Sequence, residues 1–290
     1  MISIPKEDTL RFVQVDVFAQ RPYAGNPLAV FPDAGALDAR QMQAIAAEMN
    51  LSETTFVTAI RNARYDVRIF TPGTELPFAG HPTLGTAWVL RHLGLVTDDH
   101  VVQVSAAGET PVVVEGEVVW FTRSGSAGAD VPDAARASIA AALGVAVTDL
   151  GVAAPGMGRG GMLAPAVADA GLAHLCVPVA GLDVLGRLSL DRPLTELNAQ
   201  GMYAFTVTDR GLQARGLFPG AGIAEDPATG SAAAALGCYL AARLGPVDVD
   251  IEQGVEMGRP SLLHVRAAAE RVRVGGSVQL ALRGELVRLP

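Results

Sequence analysis

Two seven-residue stretches of the chain are near copies of each other, and both carry polar residues of the kind that handle protons and anions. His81-Pro82-Thr83-Leu84-Gly85-Thr86-Ala87 aligns without a gap to Asp226-Pro227-Ala228-Thr229-Gly230-Ser231-Ala232, with Pro, Gly and Ala identical and Thr86 against Ser231. The offset is 145 residues, half of the 290-residue chain. Each copy follows a strand-like run ending in Phe (Phe70, Phe218) and a Pro/Gly-rich loop, and each opens a helix that closes on Leu-Gly (Leu93-Gly94, Leu244-Gly245). A first-turn Pro costs no hydrogen bond, and the unpaired N–H groups of a helix start attract anions. Two such starts facing one cleft would cradle a carboxylate. The plainer reading is a pair of capped core helices, Asp226 being a good N-cap. His81, placed like Asp226 by the repeat, weighs toward a site, where it would hold or protonate a substrate oxygen or relay a proton. Asp226 would bind a substrate amine or hydroxyl, or orient His81.

Glu53 is the third group able to do chemistry. It stands at a helix-to-strand junction among Leu51, Phe56 and Val57. Burial there would raise its pKa toward neutrality, where one carboxyl both takes and returns a proton. The alternative is an exposed strand-edge glutamate, the common fate of this residue type. Ser231 and the N–H groups near Gly230 would hold a carboxylate, or Ser231 would simply pack in a helix. The remaining histidines carry less weight: His92 near a helix C-terminus, His100 in a polar turn, His174 in Gly171-Leu172-Ala173-His174-Leu175, and His264 in an alternating strand. Cys176 and Cys238 form no CxxC pair and read as small buried hydrophobes. No His/Cys/Asp cluster has zinc-like spacing. The Gly156–Gly161 stretch lacks the strand and lysine of a phosphate loop.

The elements that must position these groups follow from periodicity and punctuation. Strands are expected at 12–18 and 28–31, beginning toward the end of 51–57, and at 65–70, 101–104, 111–114 and 118–121. Asp38, with Gln41 three residues on, opens a helix whose apolar face is Met42, Ile45, Ala46 and Met49 and whose end is Asn50. A second helix is expected over roughly 83–93. Residues 124–130, rich in Gly, Ser and Ala, read as a linker. Beyond it come a short helix at 139–143, strands at 175–179, 203–207 and 214–218, a long alanine-rich helix ending before Gly245, and strands near 262–267, 271–274 and 278–282. Gly275-Gly276 reads as a hairpin turn between the last two. The order is strands, helix, strands, then the same again: α/β in content with mostly antiparallel connections.

Half of the residues are hydrophobic and 18% are charged, which suits a compact chain with one or two cores. A net charge of -8 with no basic run argues against nucleic acid or an anionic membrane as partner. No apolar run reaches membrane-spanning length and residues 1–14 lack a signal-peptide core, so a soluble cytoplasmic protein is expected.

Three motifs together resemble the PhzF-like isomerase family of phenazine biosynthesis: Asn50-Leu51-Ser52-Glu53-Thr54-Thr55-Phe56, Phe78-Ala79-Gly80-His81-Pro82-Thr83-Leu84-Gly85 and Glu225-Asp226-Pro227-Ala228-Thr229-Gly230-Ser231. Weaker agreement runs through Tyr23-Ala24-Gly25-Asn26-Pro27 and from Gln253-Gly254 to Met257-Gly258-Arg259-Pro260-Ser261. The resemblance implies an α+β, diaminopimelate epimerase-like fold of two pseudo-symmetric domains. In each, a mostly antiparallel sheet or barrel surrounds a central helix, and the site lies between the two. The division expected is 1–124 and 130–290, the last strand returning to the first domain. Related epimerases place cysteines at the helix starts, positions held here by His81 and Asp226, so two-thiol racemisation is disfavoured. The resemblance makes Glu53 the acid/base, with His81 and Asp226 catalytic beside it and Gly80, Thr83, Gly230 and Ser231 binding substrate. It implies no metal, pyridoxal or nicotinamide cofactor, a small carboxylate substrate and a homodimer. An amino-acid or hydroxy-acid epimerase and a non-catalytic ligand-binding protein are the alternatives on the same scaffold.

Overall fold

The computed structural model describes residues 9–153, 161–190, 199–219 and 223–290. Most of the Gly156–Gly161 loop therefore lies outside the described residues. The chain divides into two compact units, Met1–Phe121 with Gly275–Pro290, and Thr122–Val274. The end of the chain, Gly275–Pro290, thus belongs with the first unit.

The first unit contains β1 (Leu10–Val17), β2 (Asn26–Phe31), α1 (Ala39–Met49), β3 (Glu53–Arg61), β4 (Arg64–Phe70), β5 (Glu75–Leu76), α2 (Gly80–His92), β6 (His100–Ser105), β7 (Gly108–Glu115) and β8 (Val118–Ser124), whose last three residues pass into the second unit. The second has β9 (Ser126–Asp130), α3 (Asp133–Leu143), β10 (Val152–Ala153), β11 (Met162–Leu163), β12 (Ala166–Asp169), β13 (Ala173–Pro178) and α4 (Leu182–Gly186). It continues with β14 (Met202–Thr208), β15 (Gly211–Phe218), β16 (Ile223–Asp226), α5 (Gly230–Leu244), β17 (Val247–Gln253) and β18 (Ser261–Ala268). Strand β19 (Arg271–Leu286) leads back to the first unit, where it pairs antiparallel with β1 from Leu10↔Leu286 to Val17↔Val278.

In the first unit the strands are joined side by side in the order β19, β1, β2, β3, β4, β6, β7, β8, and β8 pairs with β19. The ring closes into an eight-stranded barrel. The β2–β3 and β4–β6 pairs are parallel. Helix α2 fills the barrel: Gly80 to Ala87, Val89 and Leu90 are all buried. A helix apolar all round belongs in a core, not at a surface. Gly85 is what lets it fit, since a Cβ there would lie 2.6 Å from Leu28 Cδ2 and 2.8 Å from Val17 Cγ2. Outside, α1 lays Met42, Ile45 and Ala46 on Phe31, Phe56 and Phe70. Its ends are those read from the sequence: a capping box between Asp38 and Gln41, and Asn50 in the left-handed region.

The second unit repeats the plan. Strands run β9, β12, β13, β14, β15, β17, β18, with β13–β14 and β15–β17 the parallel pairs. Helix α5, buried from Gly230 to Ala241, packs on six of these strands. The fold class is α+β, a mostly antiparallel sheet around a central helix in each unit.

Two expectations fail here. Residues 124–130 are no linker: Ser126–Asp130 is strand β9, paired with β12. Its small residues answer to close packing, because a Cβ on Gly125 would sit 2.4 Å from the Asp169 carbonyl oxygen and 2.8 Å from Cys238 Sγ. Nor does Gly275-Gly276 turn the chain. β19 runs straight through it, and a Cβ on Gly275 would lie 2.4 Å from the Trp120 ring. Glycine inside a strand marks such a close approach.

Candidate active site

The start of β3 lies beside the start of β2, since the two are parallel with Leu28 opposite Glu53. Asn50 in the left-handed region turns the chain out of α1 toward that point. Glu53 is thereby brought to the first turn of α2, its Oε2 3.5 Å from His81 Nε2, with side chains only 13% and 4% exposed. The other face of the ring is held by Asn26, whose Nδ2 donates to His81 Nδ1 at 3.2 Å while Ser52 Oγ donates to Asn26 Oδ1 at 3.4 Å. This network assigns the ring proton to Nε2. Burial pushes the His81 pKa down to about 3. The imidazole is therefore a neutral N–H directed at the Glu53 carboxylate. At 3.5 Å the contact is longer than a usual hydrogen bond.

Helix α2 begins at Gly80, three residues earlier than read from the sequence, and its N-cap Ala79 offers no side-chain bond. The N–H groups of that first turn have no carbonyl within the helix. Thr83 is spent on the fold: its Oγ1 donates to the Ala79 carbonyl at 2.8 Å and accepts from Gln103 Nε2 at 2.8 Å, and Tyr65 donates to Gln103 Oε1 at 3.3 Å.

In the second unit Asp226 is not the N-cap of the plainer reading. It ends β16, three residues before Thr229, the residue that occupies the N-cap of α5. Buried Asp226 accepts from Thr229 Oγ1 at 2.6 Å, and its own carbonyl accepts from Gln253 Nε2 at 2.8 Å. The strand end is pinned from behind by Arg215, which grips Glu225 with two bonds of 2.8 and 2.7 Å. Such planar two-point pairing fixes geometry as well as charge. Gly230 is the first residue of α5 and Ser231 the second; Ser231 Oγ lies 3.1 Å from Nε2 of buried His174.

The two helix starts, Gly80 and Gly230, are 150 residues apart, not the 145 of the sequence alignment. Glu75, Pro77 and Gly80 have Glu225, Pro227 and Gly230 at that spacing, and Gln103 has Gln253. The environments agree. Arg68 holds Glu75 by two bonds as Arg215 holds Glu225. Gln253 takes a hydrogen bond from Tyr203 at 2.8 Å as Gln103 does from Tyr65, and donates to Thr229 Oγ1 at 3.1 Å as Gln103 does to Thr83. The structural counterpart of His81 is therefore Ser231, and that of Asp226 is Leu76. The strand ends and helix starts, Leu76 to Gly80 and Asp226 to Gly230, keep the 150-residue spacing.

Sequence reasoning gave no role to Asn26 or to His174. Their partners lie 55 and 57 residues away in the chain, and only the weakly matching stretch Tyr23–Pro27 pointed to Asn26. Cys176 and Cys238 are buried free thiols, in β13 and inside α5, and neither occupies a helix-start position; burial raises both pKa values, Cys238 to about 11. Among the described residues no three His, Cys, Asp or Glu side chains gather as a metal would require.

Comparison with known proteins identifies the family of the chain. The family described as phenazine biosynthesis-like protein (PhzC-PhzF) matches residues 15–284. The chain is 37% identical, over 95% of its length and 99% of the relative's, to trans-2,3-dihydro-3-hydroxyanthranilate isomerase of Pseudomonas fluorescens. A PhzF-family phenazine biosynthesis protein of Bacillus anthracis superposes with a TM-score of 0.84 at 25% identity, covering 96% of this chain and 99% of the other. A hydroxyproline epimerase from Agrobacterium vitis shares the fold at a TM-score of 0.61 and 11% identity, with 97% and 93% covered. The chain belongs to the PhzF-like, phenazine biosynthesis-like family and is an isomerase.

Proposed function

We propose that this isomerase moves a proton between two carbons of a small unsaturated carboxylic acid, with Glu53 as the single acid/base. The observation that carries the reading is the Glu53–His81 pair, a nearly buried carboxylate 3.5 Å from the Nε2–H of a neutral imidazole. The Glu53 carboxylate takes a proton from one carbon: the C–H bond breaks, an O–H bond forms, and the electron pair shifts along the adjacent double bond. The carboxylic acid then gives a proton to the far end of the shifted system. Atoms balance, and no cofactor enters this scheme. His81 holds the carboxylate in place and does not supply a positive charge. Asp226 is proposed to take a substrate amine or hydroxyl, and Ser231 with the first-turn N–H groups at Gly230 to take its carboxylate. Gly80 offers a backbone N–H in the same way, whereas Thr83 serves by fixing the start of α2.

The relatives' substrate makes a natural first trial, because a dihydro-hydroxyanthranilate carries a carboxylate, an amine and a hydroxyl on an unsaturated ring. Trans-2,3-dihydro-3-hydroxyanthranilate is incubated with the protein in D2O and the product analysed by NMR. The expected result is an isomer with deuterium at one ring carbon. Neither turnover nor exchange into this compound, together with deuterium entering the α-carbon of amino or hydroxy acids, would move the reading to an epimerase. The homodimer implied by the family resemblance is proposed as well, and a light-scattering mass of twice 30.0 kDa supports it.

A further inference from the structure

We infer that His174 is a positioning residue for Ser231: its ring donates a hydrogen bond to the serine oxygen and so leaves the serine's own hydrogen for the substrate carboxylate. This rests on the reading above and adds one residue to the same binding function.

His174 is the second residue of β13 and is 2% exposed. Its Nε2 lies 3.1 Å from Ser231 Oγ, and its Nδ1 is buried with no hydrogen-bond partner. Phe218 stands edge-on to the ring, centroids 5.7 Å apart. Burial keeps the imidazole neutral, its pKa lowered to about 4. A neutral ring has two tautomers. With the proton on Nδ1, a buried N–H donor would be stranded. With the proton on Nε2, only a lone pair goes unused, and stranded donors are the rarer of the two in folded proteins. The ring therefore donates to Ser231.

The serine hydrogen must then go elsewhere. A serine in a helix often returns it to the carbonyl four residues back, as Thr83 does to Ala79 at 2.8 Å. Ser231 makes no such bond: the Pro227 carbonyl takes Ser261 Oγ at 2.9 Å instead, and among the described residues His174 is the hydrogen-bond partner of Ser231. The first unit has the same device. Asn26, at the start of β2, holds the second residue of α2; His174, near the start of β13, holds the second residue of α5. β2 and β13 each pair parallel with the strand that follows. In one unit the holding side chain sets a histidine tautomer, in the other the direction of a hydroxyl.

Two measurements test this. ¹⁵N NMR of histidine-labelled protein reads the ring proton of His174 directly, and Nε2–H is expected. Steady-state kinetics with trans-2,3-dihydro-3-hydroxyanthranilate then compare His174→Leu, His174→Gln, Ser231→Ala and the His174→Leu/Ser231→Ala double variant. A hydrogen bond to a charged group predicts a KM increase of about tenfold for His174→Leu and for Ser231→Ala, with kcat little changed. His174→Gln, which still presents an N–H, recovers most of it, and the double variant is no worse than Ser231→Ala. A proton on Nδ1, or an unchanged KM in His174→Leu beside a raised KM in Ser231→Ala, overturns the inference alone. Effects that multiply in the double variant do the same. An unchanged KM in Ser231→Ala overturns both this inference and the binding role given to Ser231. If His174→Leu fails to fold, the glutamine variant and the ring-proton spectrum decide.

Discussion

At the scale of single residues, the site depends on hydrogen-bond direction more than on charge. Asn26 presents a donor to His81 Nδ1, and that choice puts the ring proton on the side of Glu53. Asn26→Asp replaces the donor with an acceptor of the same shape. The ring proton should move to Nδ1, leaving a lone pair against the carboxylate. The expected outcome is a fall in kcat of about tenfold to a hundredfold, the scale of a misplaced acid/base, with the ring ¹⁵N shifts exchanging their assignments. A kcat within twofold of the parent would mean that the tautomer of His81 does not matter to turnover.

At the scale of elements, each central helix depends on a glycine where a strand pair closes on it. A Cβ at Gly85 would meet Leu28 and Val17, and one at Gly237 would lie 2.7 Å from Val265 Cγ1 and 2.9 Å from Val272 Cγ2. Alanine favours a helix by about 1 kcal/mol over glycine, but overpacking a core costs about 1–3 kcal/mol. Gly85→Ala should therefore lower the unfolding free energy, measured by urea titration; a clear gain in stability would show that the barrel has room there. The elements were also where the sequence spoke most clearly. Helix α1 was legible from cap to cap, because Asp38, Gln41 and Asn50 act on neighbours a few residues away. β17 is equally legible, since Val247-Asp248-Val249-Asp250-Ile251-Glu252 alternates plainly. The start of α2 at Gly80 was not legible, since no side chain caps it and burial in the barrel defines it. Glu53, His81, Asp226 and Ser231 could be singled out from motifs, but their partners Asn26 and His174 come from strands more than fifty residues away, and neither spacing nor composition encodes such contacts.

At the scale of the whole molecule, two buried neutral histidines make stability depend on pH. Burial lowers His81 to about 3 and His174 to about 4, against 6.5 for the unfolded side chain. Above pH 6.5 both states are neutral and nothing changes. Below it the unfolded chain takes up protons that the folded chain refuses, so stability falls with pH until about 4 for His174 and about 3 for His81. Each group contributes about 1.4 kcal/mol per pH unit inside its window. Between pH 7.5 and 5.5 the pair should cost about 2–3 kcal/mol, seen as a lower urea midpoint, and His174→Gln should remove about half of that loss. Equal midpoints at the two pH values would mean that the histidines are protonated in the folded protein.

The central claim is that Glu53 carries the proton. The direct measurement is kcat of Glu53→Gln on a substrate that the parent protein turns over, with thermal unfolding compared alongside. The amide keeps the size and the contact with His81 but cannot take a proton. The account predicts a loss of at least about a hundredfold in kcat, with an unfolding temperature close to the parent's. A correctly folded Glu53→Gln that retains kcat within about twofold, against the ~100-fold or greater effect of removing a general acid/base, would contradict it.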